Sequence, residues 1–263
     1  PAMLGAGYSK DLAAGTVCAG GSLGTTIPPS VVIIVYASIT EMSVGDLFAG
    51  ILIPAGFMVG LFIFYIIGRC LIQPSAGPGL DPAETQTALS AKLWLALTAL
   101  LPASLLVLAV LGSIFAGIAA PTEAAAVGAL GSVVLSIAYR QFSIKVLREA
   151  VTQTIKITSM VMLIILGGVL FASIFIVHGG DELVAKVVEG NGLNETQIII
   201  AFLIVVFILG FVLDWISVLI IVLPIADPII RNAEIDPLWF GVMVCIILQT
   251  SYLTPPMAPS IFY

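Results

Sequence analysis

Long apolar runs dominate this chain, and polar positions interrupt only some of them. A helix that spans a membrane needs about 20 apolar residues. Unbroken runs predict spanning helices at 45–71, 92–115, 121–140 and 149–178, a short amphipathic helix at 181–190 and a polar loop at 73–91. Three further apolar segments carry internal breaks: 11–40, 195–231 and a last one that begins near Pro237. The pattern therefore predicts an all-α polytopic membrane protein with discontinuous helices.

Two of these breaks resemble each other. The first runs from Gly20 to Ser30 and the second from Gln249 to Ser260, and aligning their Pro-Pro pairs places Ser22 opposite Gln249. Proline removes a backbone donor and disfavours helical geometry in the preceding residue, so each motif should interrupt a spanning helix. Broken backbone survives in hydrocarbon only where it is buried in protein or lines a polar cavity. The pair predicts a transporter with repeated halves and a binding site near the middle of the membrane.

Hydroxyl groups are frequent in both breaks. They are Ser22, Thr25 and Thr26 in the first, and Thr250, Ser251 and Thr254 in the second. Such hydroxyls, together with carbonyls freed from the glycine-rich backbone, suit a hard cation such as sodium, and the N-termini of half-helices attract carboxylates. A second interpretation stays open, in which glycine and proline only kink packed helices and the hydroxyls bond back to the preceding turn.

The third break lies at Asp214–Ser217, inside the segment 195–231. Either both limbs cross the membrane, or the segment is a re-entrant hairpin with its tip at these residues. An aspartate at mid-depth is costly and usually faces a cavity or a partner, which favours the hairpin. Asp214 is then a cation ligand, a cap of the hairpin tip or a partner for a buried base. Ser217 is a candidate contact for substrate or ion.

Charge is scarce and unevenly distributed. The chain is 60% hydrophobic and 9% charged, with a formal net charge of −6, so nucleic acid is not expected as a partner. Five basic residues flank loops that the helix count places on one face, which the positive-inside rule makes cytoplasmic; they are Arg69, Lys92, Arg140, Lys145 and Arg148. No sequence motif of a common enzyme or cofactor site occurs, so neither catalysis nor a cofactor is predicted.

The order of the segments predicts an inverted repeat. An odd number of membrane crossings lies between Pro29 and Pro256, so the two broken units face opposite ways. That is the architecture of many secondary carriers, which bind their substrates between two such repeats.

The chain resembles the large membrane subunit of TRAP transporters (tripartite ATP-independent periplasmic transporters), a DctM-like permease. The motifs that carry the resemblance are, in chain order, Gly21-Ser22-Leu23-Gly24 with Ile27-Pro28-Pro29-Ser30, Pro121-Thr122-Glu123-Ala124, Leu213-Asp214-Trp215-Ile216-Ser217, Asp236-Pro237-Leu238-Trp239 and Leu253-Thr254-Pro255-Pro256. The likeness covers essentially the whole chain, and we expect the chain to be a fragment, roughly the C-terminal half or more of the subunit.

The resemblance implies an elevator-type carrier in the cytoplasmic (inner) membrane of a bacterium or archaeon. It implies sodium as the coupling ion, an organic anion with a carboxylate as substrate, and two partners, a small membrane subunit and a periplasmic solute-binding protein. Residues 1–40 are expected to hold the end of a first hairpin and the first broken helix of the transport domain. Residues 41–190 are expected to form scaffold and connecting helices, and 191–263 the second re-entrant hairpin and broken helix.

The resemblance also implies site residues. The sodium ligands it implies are Gly21, Ser22, Thr25 and Thr26 at the first break, and Thr250, Ser251 and Thr254 at the second. The substrate contacts it implies are Ser22, Asp214, Ser217 and Thr250. Two alternatives to the tripartite carrier stay open: a stand-alone ion-coupled anion carrier of related fold, and a channel or non-transporting membrane scaffold.

Overall fold

The computed structural model of the protein describes residues 2–79 and 88–262, and every regular element in these ranges is a helix. In chain order the helices are α1 (Ala2–Gly5), α2 (Lys10–Thr26), α3 (Val31–Thr40), α4 (Val44–Ile72), α5 (Leu89–Phe115), α6 (Pro121–Ala138), α7 (Ile144–Val177), α8 (Gly180–Gly190), α9 (Glu195–Val212), α10 (Trp215–Asn232), α11 (Pro237–Ile247), α12 (Gln249–Leu253) and α13 (Pro259–Phe262).

Seven helical segments within the described ranges are long and apolar enough to cross a membrane, with α2 and α3 counted as one. This confirms an all-α polytopic membrane protein. The broken segments at 11–40 and 195–231 and the amphipathic helix at 181–190 are all present. The polar loop predicted at 73–91 lies partly outside the described residues, and α5 already begins at Leu89.

One predicted boundary is wrong. Lys145 and Arg148 were expected in a short connection before a helix at 149, but α7 begins at Ile144 and contains both. The reason is local: Ser143 occupies the N-cap position, where its hydroxyl accepts from the Val146 N–H at 3.2 Å and its carbonyl from the Leu147 N–H at 3.0 Å. A serine before an apolar run starts a helix in this way because it satisfies backbone donors that have no partner inside the helix.

The chain divides into two compact units. One comprises Pro1–Val17 and Met58–Arg148, and the other Cys18–Phe57 and Glu149–Tyr263. In the first unit α5 packs against α6, where a Cβ added to Gly128 would lie 3.1 Å from a Val110 methyl. Small residues at such a crossing let two membrane helices approach closely. The division into scaffold and transport domains stays a prediction.

The second unit has an apolar core formed by α3, the start of α4, α9, α10 and α11. Tyr36, Phe48 and Phe240 are each at most 1% exposed. One close approach is between α11 and α3, where a Cβ added to Gly241 would lie 2.7 Å from the Tyr36 ring. Only a glycine fits at this crossing, since real Cβ atoms do not come so near a ring carbon. The unit therefore brings the helix after the first break against the helix before the second.

Capping side chains define the ends of the hairpin α9–α10 and of α11. Asn194 and Gln197 cap the start of α9 reciprocally, each side chain accepting from the other residue's backbone N–H at 2.9–3.0 Å. Asp236 caps α11 and precedes Pro237, which suits a first helical position. At the C-terminal end of α10, Arg231 donates to Asp227 at 2.8 Å. It also donates at 3.0 Å to the carbonyl of Thr40, the last residue of α3. The Arg231 contact holds the end of α10 beside the end of α3, the helix that follows the first break.

Candidate functional site

Within the first break, which runs from Gly20 to Ser30, only Ile27–Ser30 departs from helical backbone. The glycine-rich stretch before these residues was expected to be broken, and that expectation is wrong, since α2 stays helical through Thr26. The prolines set the break: residues 28 and 29 have no N–H, so the carbonyls of Gly24 and Thr25 lose their helical donors. Ser30 compensates for one of them, because its hydroxyl donates to the Thr25 carbonyl while its oxygen caps α3 at the Ile33 N–H.

Within the second break, the backbone leaves helical geometry where α12 ends. Leu248, whose backbone is right-handed helical with φ −60° and ψ −21°, separates α11 from the five-residue helix α12, and Thr254 leaves α12 in an extended conformation with φ −111° and ψ 122°. Pro255 and Pro256 lack N–H groups, so the carbonyls of Ser251 and Tyr252 lose helical donors as those of the first break do. Both Pro-Pro peptides, in the first break and the second, are cis.

The hydroxyls of the breaks bond back into their own helices. In the first break, Ser22 donates to the Ala19 carbonyl at 2.9 Å and Thr25 to the Ser22 carbonyl at 2.7 Å. In the second, Thr250 donates to the Ile247 carbonyl and Ser251 to the Leu248 carbonyl, both at 2.7 Å. Each proton is thereby engaged, so each oxygen can only accept a further donor or coordinate a cation. The back-bonding that was the plainer interpretation of these residues is present and is compatible with ion binding.

One side chain joins the two breaks. Gln249 is 4% exposed, and its Nε2 donates to the Ser22 carbonyl at 2.9 Å and lies 3.4 Å from Thr25 Oγ1. The orientation of the amide follows from chemistry, since a carbonyl only accepts and must face the nitrogen. No hydrogen-bond donor within the described ranges reaches Gln249 Oε1, which is buried. A buried acceptor left without a partner costs about 1–3 kcal/mol.

The contacts between the breaks pair equivalent positions of the two repeats. Ser22 and Gln249 are 227 residues apart, the same spacing as between the Pro-Pro pairs. The Thr25 side chain interacts with Tyr252 at the same spacing. Residues that meet their own equivalents lie next to the axis of a two-fold repeat. The two breaks therefore meet where the predicted repeat places its centre.

The hairpin tip is built around Asp214. Its carboxylate accepts from the backbone N–H groups of Ile216 at 3.2 Å and Ser217 at 3.3 Å, and from the Ser217 hydroxyl. This is an N-cap of α10, the second of the three roles considered from the sequence. Asp214 and Ser217 are both half-buried, so the tip combines a fixed carboxylate with partial access from outside the protein.

The tip lies beside the second break. A Cβ added to Gly210, two residues before the end of α9, would lie 3.0 Å from Ser251 Cβ, so α9 and α12 are in direct contact. Of the residues predicted from the sequence, the structure thus brings Ser22 and Thr25 of the first break towards the second break, and sets Ser251 beside the hairpin.

Other predicted residues are less engaged. Gly21 is exposed, and a Cβ added there would meet nothing within 4 Å. Thr26 is 2% exposed, whereas Thr254 is half-buried. Sequence reasoning did not select Gln249 or Ser30 as functional residues. The alignment of the two breaks, which sets Gln249 opposite Ser22, was the signal that could have identified the glutamine.

The hard ligands that the described residues offer at the breaks are oxygen atoms. Hydroxyls with engaged protons, carbonyls deprived of helical donors by proline and the amide oxygen of Gln249 are neutral, hard ligands of the kind that alkali and alkaline-earth cations prefer. No cluster of three or more His, Cys, Asp or Glu suited to a metal occurs in 2–79 or 88–262. The donor set fits a weakly and reversibly bound monovalent cation better than a tightly held divalent or transition metal.

Comparison with known proteins gives this arrangement a family. One family matches residues 1–263 of the chain: tripartite ATP-independent periplasmic transporter, DctM component. The chain belongs to this DctM family. The two prolyl breaks and the Asp214 hairpin are therefore features of a DctM-family chain, and the resemblance seen in its motifs is confirmed.

Several DctM relatives are similar over nearly the whole chain. The C4-dicarboxylate TRAP transporter large permease protein DctM of Pseudomonas aeruginosa is 32% identical over 264 residues, 99% of this chain and 60% of the relative. The sialic acid TRAP transporter permease protein SiaT of Haemophilus influenzae is 29% identical over 266 residues, 99% of this chain and 41% of the relative. The ectoine TRAP transporter large permease protein TeaC of Halomonas elongata is 28% identical over 271 residues, 100% of this chain and 60% of the relative.

The chain spans about 60% of the length of these separate large permease proteins. The named solutes of the relatives differ in charge and size, from C4-dicarboxylate to sialic acid and ectoine. A shared fold with different solutes places solute identity in local contacts rather than in the architecture.

Proposed function

We propose that this chain belongs to the membrane permease subunit of a sodium-coupled secondary transporter that imports organic anions with a carboxylate. The observation that carries the proposal is the meeting of the two broken helices through Gln249, Ser22 and Thr25. Two half-helices meeting at a buried polar contact are the arrangement that carriers use to hold ions and substrates together. Membership of the DctM family supports the transport role.

Sodium binds at the two breaks in this proposal. Its ligands are drawn from the hydroxyl and carbonyl oxygens of Gly21, Ser22, Thr25, Thr26, Thr250, Ser251 and Thr254. The anion binds next to them, near Ser22, Thr250 and the hairpin tip at Asp214 and Ser217. Bound sodium offsets the negative charge of the carboxylate, so the cation and the anion favour each other's binding.

The subunit works in the cytoplasmic membrane with a small membrane subunit and a periplasmic solute-binding protein that delivers the anion. The hairpin and broken helices move together against the remaining helices during transport. A stand-alone carrier of related fold is the alternative, and the need for a binding protein separates the two. Relatives named as TRAP transporter permeases support the tripartite form.

The test is uptake of radiolabelled C4-dicarboxylate, N-acetylneuraminate and ectoine into liposomes that contain the full-length subunit and its small subunit. Uptake that needs both a sodium gradient and the cognate binding protein is expected. Thr25→Val and Thr254→Val should raise the half-saturating sodium concentration several-fold, because each removes an oxygen at a break. Uptake of all three solutes that is indifferent to sodium would refute the proposed coupling.

A further inference from the structure

The buried amide of Gln249 has one end bound and one end unpaired. Its nitrogen is committed to the first break, at 2.9 Å from the Ser22 carbonyl. Its oxygen, on the same 4%-exposed side chain of the second break, meets no donor within the described ranges. Packing alone does not explain a buried amide, because packing needs no polar atoms. A structural hydrogen bond between the breaks does not explain it either, because the amide oxygen is left without a partner.

We propose that Gln249 is the positioning residue that couples cation binding at one break to cation binding at the other. This inference rests on the proposed function, in which sodium occupies both breaks. The amide oxygen accepts a cation, or a water on that cation, on the side of the second break. The amide nitrogen meanwhile holds the Ser22 carbonyl and, through it, the Thr25 hydroxyl that donates to the same oxygen at 2.7 Å.

The physical basis is the polarity of one conjugated group. A positive charge at the oxygen of an amide draws electron density from the nitrogen, so its N–H becomes a stronger donor. The bond to the Ser22 carbonyl tightens, and the oxygens of the first break are fixed before an ion reaches them. Because coupling of two binding events is reciprocal, ordering of the first break also favours the cation at Gln249. One side chain near the repeat axis suffices for this effect.

Alternative partners for the amide oxygen are removed by the local structure. The Thr25 hydroxyl donates to the Ser22 carbonyl, and the Ser251 hydroxyl donates to Leu248 at 2.7 Å, so neither proton serves Gln249. Rotation of the amide by half a turn would set its oxygen against the Ser22 carbonyl, two acceptors in contact. The unpaired end therefore stays available for a ligand.

The test measures sodium dependence of uptake by the full-length carrier in liposomes. Gln249→Met keeps the length of the side chain and removes both polar ends, whereas Gln249→Glu keeps an oxygen and removes the donor. Gln197→Met is the matched control, since it removes a glutamine amide at the exposed start of α9. In the wild type we expect a sigmoidal sodium titration. Gln249→Met should bring the Hill coefficient to about 1 and raise half-saturating sodium about fivefold or more.

The two Gln249 variants separate coupling from simple binding. Gln249→Glu should also lose the sigmoidal response, while its half-saturating sodium concentration stays near or below that of the wild type because a carboxylate attracts cations. The KM for the solute at saturating sodium should change less than twofold in both variants. If Gln249→Met does not accumulate in membranes, the near-isosteric Gln249→Glu alone decides the question.

Two results would overturn the proposal in different ways. A wild-type Hill coefficient retained in Gln249→Glu, or changed equally in Gln197→Met, would show that Gln249 does not couple the breaks, and would leave sodium-driven transport intact. Uptake by the wild type that ignores sodium would overturn both the coupling role and the proposed function.

Discussion

The two breaks look alike in sequence and differ in what they do. In the first, a single helix stops at Thr26. Ser30 then donates to the Thr25 carbonyl and caps the start of the next helix. In the second, the chain becomes extended at Thr254, after the short helix α12, and Gln249 on α12 donates to the Ser22 carbonyl of the first break. The first break offers a backbone acceptor and the second offers the donor. Repeat symmetry thus fixes where the breaks meet, while individual side chains decide the chemistry of the contact.

The breaks also differ in how tightly their glycines pack. A Cβ added to Gly20, Gly21 or Gly24, before the first break, would meet nothing within 4 Å. Gly241, before the second break, lies against Tyr36 and Leu47, with distances of 2.7 Å and 3.1 Å to an added Cβ. The glycines before the first break leave open space beside α2, whereas glycine near the second break is required by packing.

The largest expected effect comes from this packing. Gly241→Ala forces a methyl group into the Tyr36 ring, and overpacking of this kind costs about 1–3 kcal/mol. We expect a clearly lower thermal midpoint for the purified full-length protein in detergent. Gly56→Ala, where an added Cβ meets nothing within 4 Å, is the control and should keep or slightly raise the midpoint, because alanine favours the helix. Equal midpoints for the two variants would show that α3 and α11 do not approach as closely as described.

A smaller loss is expected at Ser30, which has no counterpart in the second break. The equivalent position there is Met257, so only the first break has a hydroxyl that caps the next helix. Ser30→Ala leaves the Ile33 N–H and the Thr25 carbonyl without this partner, at a cost of about 1–2 kcal/mol. Thermal unfolding of Ser30→Ala beside Ser38→Ala, an exposed serine that bonds back to Ile34, measures the difference. A loss no larger than that of the control would contradict the capping role.

The smallest stability effect is expected at the hairpin tip. Asp214→Ala removes an N-cap and should cost about 1 kcal/mol, while Asp214→Asn keeps an acceptor and should cost a few tenths. Uptake separates the cap from a role of its charge. If the carboxylate also faces ion or substrate, Asp214→Asn folds normally and transports poorly. Normal uptake by Asp214→Asn would show that Asp214 acts only as the N-cap of α10.

Sequence patterns were sufficient for the helices because apolar runs and prolines act locally. The break positions, the hairpin centre and the family followed from Pro-Pro pairs, from Asp214 and from the order of the motifs. The early start of α7 was missed because Ser143 caps it beyond the apolar run. Helix persistence through Gly20–Gly24 was missed because each glycine lowers helix propensity by only about 1 kcal/mol, which does not by itself end a helix.

The contact between the breaks could be located but not resolved from the sequence. Alignment of the two repeats placed Ser22 opposite Gln249, yet nothing local determines that the amide nitrogen of Gln249 reaches the Ser22 carbonyl across 227 residues of chain. The division of labour between the breaks is a tertiary property. It depends on the packing of α3, α10 and α11, which brings distant segments together.

The most direct measurement of the account is the thermal stability of the purified full-length subunit in sodium and in potassium at equal ionic strength. A ligand that binds the folded protein raises its stability by an amount set by its concentration relative to its Kd, about 2.7 kcal/mol at 100 times Kd. We predict a higher midpoint in sodium than in potassium, and a smaller difference in Thr25→Val and Gln249→Met. Identical midpoints in the two salts for the wild type would contradict a sodium site at the paired breaks.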